Sequence, residues 1–221
     1  MSFARVAVAV AAKDLRSEWR SREMLWALAQ FAVLALLIAN FGFDVSRSTV
    51  ARIGPGILWM TVVFAGLLAF GRAFAAEREG SALEAMLMTS AAPRAIFAGK
   101  AAASTLLLVF CEAVVVPGLA LFFGTPLASP SLVGALLLGT VGMAAVGSLF
   151  SAVAAQTRAR DLLLPVLAMP VWVPFIVVGG RAVQSAMGDG GQDGGALGLL
   201  LDFDILFVVA TSLAARFVLD E

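Results

Sequence analysis

Six long apolar stretches constrain this chain more than any other feature of its sequence. A helix that crosses the hydrocarbon core of a membrane needs about 20 apolar residues. Six segments come close to that length: 24–43, 53–71, 101–123, 131–155, 162–180 and 203–219. The composition agrees, because 61% of the 221 residues are apolar and 14% are charged, against about 45–50% and about 25% in soluble domains. The sequence predicts an all-α integral membrane protein with six transmembrane helices in one domain, 1–221.

The sixth apolar stretch is the weakest, because Asp202 and Asp204 interrupt its first half. Carboxylates are costly inside a membrane. We therefore interpret this segment as two pieces: a short apolar piece at 196–201, and a spanning helix that begins at about Phe203.

Basic residues are unevenly distributed between the predicted spans. Twelve of the fifteen Lys and Arg residues lie in the amino-terminal segment, in the second-to-third and fourth-to-fifth connections, and at the carboxyl terminus. Arg47, Arg52 and Arg181 are the other three. Since Lys and Arg accumulate on the cytoplasmic side of membranes, both termini are predicted to be cytoplasmic, in agreement with the even number of spans.

The first 23 residues have the pattern of a helix that lies in the membrane interface. One helical stripe is mostly apolar, and the remaining surface is charged or polar. The stripe contains Val8, Ala11, Leu15, Trp19 and Arg22. The pattern predicts either a simple surface anchor or a helix that also contacts a cytoplasmic partner.

The connection 72–100 contains the pattern of a short helix. Ser81 and Glu84 have the spacing of a capping box, in which each side chain satisfies a free backbone N–H at the helix start. Leu83, Met86 and Leu87 then share one face. Large apolar side chains on a cytoplasmic loop need a cover, which is either a partner protein or the membrane surface.

Glu112 is a single carboxylate in the middle of the third predicted span. An acid at that depth usually faces the interior of the bundle, a cavity or a partner. Two interpretations remain open: a site linked to substrate or protons, and a structural hydrogen bond to another span or to backbone freed by Pro117.

The fourth and fifth predicted spans carry packing signals. Small residues repeat every four positions along the fourth span, which allows close helix approach; the stripe is Ala135, Gly139, Met143, Gly147, Ser151 and Ala155. The fifth span contains three prolines, which are expected to break or kink it. A broken helix at membrane depth would have to be buried or line a cavity.

Several kinds of chemistry lack their usual residues. The chain has no His and no Tyr, its net charge is zero, and it has no phosphate-loop, Gly-x-Ser-x-Gly or metal-ligand motif. The glycine-rich stretch 187–195 lacks the ligand spacing of a calcium loop. We therefore expect no metal site, no nucleic-acid binding and no enzymatic activity, and any energy must come from a partner.

Several motifs together resemble the CcmB family, the haem exporter permease of cytochrome c maturation. The most specific is the run 51–59 at the start of the second span, with Arg52, Pro55, Gly56 and Trp59. Arg72-Ala73-Phe74, the Gly80–Leu87 segment and the proline-rich run 164–174 also match the family pattern. Ala82 departs from the family's usual Gly-Ser-Leu-Glu. The resemblance covers nearly the whole chain.

The resemblance implies a multi-pass permease of the ABC-2 kind in the cell inner membrane. A separate, CcmA-like ATPase would dock on the connection after the second span, with Ser81, Leu83, Glu84, Met86 and Leu87 as the docking residues. It further implies a CcmC-like haem-handling membrane protein, a CcmE-like periplasmic haem chaperone and two copies of the chain per complex. Haem would be the ligand handled or transported, and the absence of His means that this chain offers no His axial ligand.

Two other functions are compatible with the same pattern. A permease of this architecture could move another substrate, such as a lipid or a drug, because fold does not fix function. The chain could also be a membrane scaffold without translocation, in which case it would leave the hydrolysis rate of a partner ATPase unchanged.

Overall fold

A computed structural model describes residues 2–42, 47–74, 93–125, 129–157, 159–187 and 194–219. These parts of the chain are helical, in the order α1 Phe3–Ser21, α2 Glu23–Gly42, α3 Arg47–Ala73, α4 Pro93–Phe123, α5 Pro130–Ala154, α6 Arg160–Met187 and α7 Gly194–Leu219. The helices α2 to α7 are long and apolar enough to cross a membrane. The predictions of an all-α fold and of six spans are therefore confirmed.

The prediction that the last span begins at about Phe203 is wrong. Helix α7 is continuous from Gly194 to Leu219, so 196–201 is not a separate piece. Asp204 is 5% exposed, and its carboxylate lies against Gly142 of α5. Because Gly142 has no side chain, the acid fits between the helices and the helix does not have to end there.

The predicted third span, 101–123, is part of a longer helix. Helix α3 ends at Ala73, and α4 begins at Pro93. Proline is favoured in the first turn of a helix, where its missing N–H leaves no hydrogen bond unmade. The connecting segment outside these helices is therefore about 75–92.

Helix α6 is continuous from Arg160 to Met187 despite Pro165, Pro170 and Pro174, so the prolines do not break it. Its neighbours support it from the side. Trp172 is fully buried and donates its indole N–H to the carbonyl of Met143 on α5, at 3.1 Å.

Helix α5 is the centre of the bundle and contacts α3, α4, α6 and α7. Its small residues allow the expected close approach, and aromatic rings fill the space. Trp59 lies against Gly139, and Phe70 lies against Gly147. Ser151, one turn further along, donates its hydroxyl hydrogen to the Phe70 carbonyl.

Helix α1 packs on the first turns of α4. Its inner face carries Val6 and Val10, which are buried against Ala95 and Ile96. The stripe that was predicted to face the membrane lies on the outer side of α1, away from the bundle. Val8 is 67% exposed and Trp19 is 69% exposed. The helix therefore has one face on its own chain and a second apolar face available to the interface.

Candidate functional site

The segment predicted to dock an ATPase begins and ends at one end of the bundle. The docking residues themselves lie outside the described residues: Ser81, Leu83, Glu84, Met86 and Leu87. The structure does describe both flanks of the segment. Phe74, the last described residue before the segment, is 1% exposed. Helix α4 begins at Pro93, directly after the segment. Both flanks are therefore attached to the folded bundle.

Lys100 connects the two flanks. Its ammonium group is 2.7 Å from the carbonyl oxygen of Ala73, the last residue of α3. It is also 3.1 Å from Asp14 Oδ2 on α1 and 4.9 Å from the centre of the Phe74 ring. Carbonyls in the last turn of a helix lack partners within the helix, and a cation is favourable there. Lys100 therefore holds the end of α3, the start of α4 and α1 together.

The burial of Lys100 makes its partners necessary. The side chain is 2% exposed, and a charge removed from water is stable only with compensating partners. Asp14, which is 24% exposed at the side chain, supplies the opposite charge. Gly99 brings the helices together at this point, because a Cβ there would collide with the Ala7 carbonyl and Val10 of α1.

A second set of contacts joins α1 to α2 at the same end. Glu18 Oε1 accepts hydrogen bonds from the backbone N–H groups of Met24, at 2.7 Å, and Leu25, at 3.3 Å, and so caps the start of α2. Arg22, between the two helices, has a φ of 57°. The exposed Arg72–Glu23 ion pair, at 2.9 Å, adds little stability because solvent screens it.

These contacts border a cavity of about 530 Å³ between α1, α2, α3 and α4. Its wall combines charged side chains from all four helices with apolar residues of α2, α3 and α4. Lys13, Asp14, Arg72 and Lys100 belong to this wall. In the described residues, these cations all lie close to carboxylates.

Glu112 lies inside the bundle. It is 4% exposed and accepts a hydrogen bond from the Thr140 hydroxyl on α5. This contact favours a structural role over a substrate-linked one, since a buried carboxyl group and a buried hydroxyl satisfy each other.

Asp204 is a second buried acid, which sequence reasoning missed. Its Oδ1 atom has no hydrogen-bond partner among the described residues. The helical spacing of the sequence could have identified Asp204 as buried, because it places Asp204 on one face of α7 with other buried residues. These are Ala196, Leu200, Thr211 and Ala215. Asp202 falls on a different, exposed face.

The signature residues at the start of the second span do not form one site. Trp59 is 1% exposed, and its six-membered ring lies between Gly139 of α5 and Gly179 of α6. Pro55 is buried, whereas Arg52 and Gly56 are exposed. Trp59 is therefore a packing contact between three helices.

Five consecutive residues of α5 contact the buried tryptophans and the buried acids of the neighbouring helices. Gly139 contacts Trp59, Thr140 binds Glu112, Gly142 lies against Asp204, and the Met143 carbonyl accepts from Trp172. The segment 139–143 therefore contacts α3, α4, α6 and α7. Among the described residues, no group of three or more Cys, Asp or Glu side chains is arranged to hold a metal ion.

Comparison with known proteins identifies relatives of this chain. Three relatives each bear the name "Heme exporter protein B". The protein of Paracoccus denitrificans (strain Pd 1222) is 34% identical over 175 residues, which is 78% of this chain and 79% of the relative. The protein of Rhodobacter capsulatus is 28% identical over 179 residues, 80% of this chain and 81% of the relative. The protein of Bradyrhizobium diazoefficiens is 27% identical over 158 residues, 71% of each.

The family match extends along almost the whole chain. Residues 5–220 match the family described as CcmB protein. This range includes α2 to α7 and most of α1, together with the connection between α3 and α4. The chain therefore belongs to the CcmB family.

Proposed function

We propose that this chain is the membrane permease subunit of an ABC transporter that exports haem, or releases it to a chaperone, for the assembly of c-type cytochromes. The match to the CcmB family over residues 5–220 carries this proposal. The relatives named as haem exporters support it, since the chain covers at least about 70% of each. Six apolar helices provide the membrane domain that such a subunit needs.

The ATPase would be a separate, CcmA-like subunit that docks on the segment 75–92. The docking residues would be Ser81, Leu83, Glu84, Met86 and Leu87. Support comes from the two flanks, where Phe74 and Lys100 are buried. Force applied to a segment with fixed flanks reaches the spans, whereas a segment on loose flanks would absorb it. The chain itself would carry no catalytic residues.

The docking end would face the cytoplasm, with both termini on that side of the inner membrane. Helix α1, the end of α3 and the start of α4 meet at this end through the contacts of Lys100 with Asp14 and Ala73. The predicted enrichment of Lys and Arg at this end gives the orientation. Two copies of the chain, a CcmC-like membrane protein and a CcmE-like chaperone would complete the assembly in the lipid bilayer.

The test is purification of the tagged full-length chain from membranes of a host whose own chain of this family is deleted. We expect an ATPase and haem-handling proteins to co-purify, and we expect c-type cytochromes to be restored. Failure of the chain to restore c-type cytochromes, although it is present in the membrane of the deleted host, would contradict the haem assignment and favour another substrate. A hydrolysis rate that is unchanged by the permease would favour a scaffold.

A further inference from the structure

We propose that Lys100 and Asp14 lock the amino-terminal helix α1 to both flanks of the segment 75–92, so that α1 and these flanks move as one rigid unit during ATP hydrolysis. Lys100 is then a positioning residue for transport. This inference rests on the proposed function, because it assumes that an ATPase acts on 75–92.

The ammonium group of Lys100 is the point where three elements meet. Lysine can donate three hydrogen bonds, and two of them are accounted for by Asp14 Oδ2 at 3.1 Å and the Ala73 carbonyl at 2.7 Å. Ala73 is the last residue of α3 before the segment, and Lys100 lies in the second turn of α4 after it. Asp14 comes from neither flank, so the pair adds α1 to the flanks.

The packing beside the ion pair makes α1 and α4 one body. Val6, Val10 and Asp14 repeat every four residues and therefore lie on one face of α1. The two valines are buried against Ala95 and Ile96. Gly99 allows the backbones to approach next to Lys100. An apolar contact resists separation of the helices, and the buried ion pair fixes their register.

An exposed ion pair on the same helix provides the contrast. Lys13 lies 3.2 Å from Asp14 Oδ1, and its side chain is 47% exposed. Solvent screens such a pair, so its loss costs little. Lys100, at 2% exposed, has no such screening. If any ion pair to Asp14 mattered, substitutions of Lys13 and Lys100 would have equal effects; if the buried lock matters, only the substitution of Lys100 has a large effect.

The first experiment compares Lys100→Met with Lys13→Met in the complete complex in membranes. Permease abundance, retained ATPase, the hydrolysis rate and holo-cytochrome formed per ATP hydrolysed are all measured. For Lys100→Met we expect the ATPase to remain bound and holo-cytochrome per ATP to fall about tenfold, a size typical of coupling between distant sites. For Lys13→Met we expect a change of less than about twofold. Full coupling in Lys100→Met would overturn the proposal.

The second experiment tests rescue and separates a lock from a role in folding alone. Val6→Cys and Ala95→Cys are combined with Cys111→Ala, which removes the chain's single native cysteine, and the pair is joined with a short thiol cross-linker. The cross-linked fraction of Lys100→Met is expected to recover coupling, because α1 is again fixed to α4. A cross-linked fraction that stays uncoupled would overturn the proposal.

Asp14→Asn provides the same test if Lys100→Met does not reach the membrane. It removes the charge from the α1 side and leaves the bond from Lys100 to Ala73 in place, so we expect partial uncoupling that the cross-link restores. A coupled Asp14→Asn complex would contradict the lock. Failure of the proposed function gives a different result: the unaltered chain would then retain no ATPase.

Discussion

The six-membered ring of Trp59 lies against the Cα atom of Gly139 and leaves no room for a Cβ. The same ring also lies against Gly179 on α6. Trp59 belongs to the run 51–59 that carries the family resemblance, and in the structure it fills a slot made by two glycines. This signature residue therefore acts through helix packing, and its buried indole N–H has no hydrogen-bond partner among the described residues.

Gly179→Ala should destabilise the protein, because the new methyl group would overlap the ring of Trp59. Overpacking of a filled core typically costs about 1–3 kcal/mol. The measurement is thermal unfolding of the purified protein in detergent. Gly180→Ala is the matched control, since nothing lies within 4 Å of its new Cβ, and alanine favours the helix by roughly 1 kcal/mol. Equal melting temperatures for the two variants would contradict this packing.

Glu112→Leu should destabilise the bundle, because it leaves the hydroxyl of Thr140 without its partner on α4. An unsatisfied buried polar group costs about 1–3 kcal/mol. Glu112→Gln should assemble normally, since the amide oxygen can still accept the hydrogen bond. Membrane abundance and thermal unfolding report both effects.

The double variant Glu112→Leu/Thr140→Val supplies the control for this contact. Removing both partners should cost less than the two single changes together, because no polar group is then left alone. Loss of cytochrome c maturation in a stably assembled Glu112→Gln variant would show instead that ionisation of Glu112 matters. Additive effects of the two single changes would contradict the contact.

Asp204→Val should raise the stability of the bundle. The Oδ1 atom of Asp204 is buried without a hydrogen-bond partner among the described residues. An unsatisfied buried polar group costs about 1–3 kcal/mol, so an apolar side chain of similar size should recover part of that cost. Thermal unfolding checks this, and Asp204→Asn, which keeps a polar group, should show no such gain. A lower melting temperature for Asp204→Val would mean that the carboxylate has a partner that supports the fold.

The spans were predictable because a membrane sets their length, whatever the other helices do. Asp204 led to the wrong start for α7, since its fit depends on Gly142, a residue 62 positions away in the printed sequence. The lock at Lys100 could not be predicted for the same reason, because its partner Asp14 lies 86 positions away in the sequence. Hydropathy along the chain describes contact with lipid, whereas the position of a buried charge depends on contacts between distant segments.

The carboxyl terminus should lie in the cytoplasm. A reporter that is active only in the cytoplasm should therefore be active when it is fused after Glu221, and a reporter that is active only in the periplasm should not. The reason is the distribution of twelve of the fifteen basic residues on the side that contains both termini. The measurement compares cytoplasmic and periplasmic reporters at the same fusion point, with a fusion in the connection between α4 and α5 as the opposite control. Activity of a periplasmic reporter after Glu221 would reverse the proposed topology.

Leu87→Asp should detach the ATPase while the permease still inserts into the membrane, because no span is altered. Leu83, Met86 and Leu87 would form the apolar anchors of the docking surface, and truncation of a central anchor can cost about 2 kcal/mol or more in binding. Ser81→Ala should weaken docking only mildly, since a lost helix cap costs about 1 kcal/mol.

The measurement for this docking surface is pull-down of the ATPase with each variant at equal membrane abundance. Replacements of Arg158 and Arg160 in the other cytoplasmic turn serve as controls, because charges at the rim of an interface contribute much less than its apolar centre. Lys100→Met separates docking from coupling, since it should keep the ATPase bound. Retention of the ATPase by Leu87→Asp at the unmodified level would show that the partner binds elsewhere.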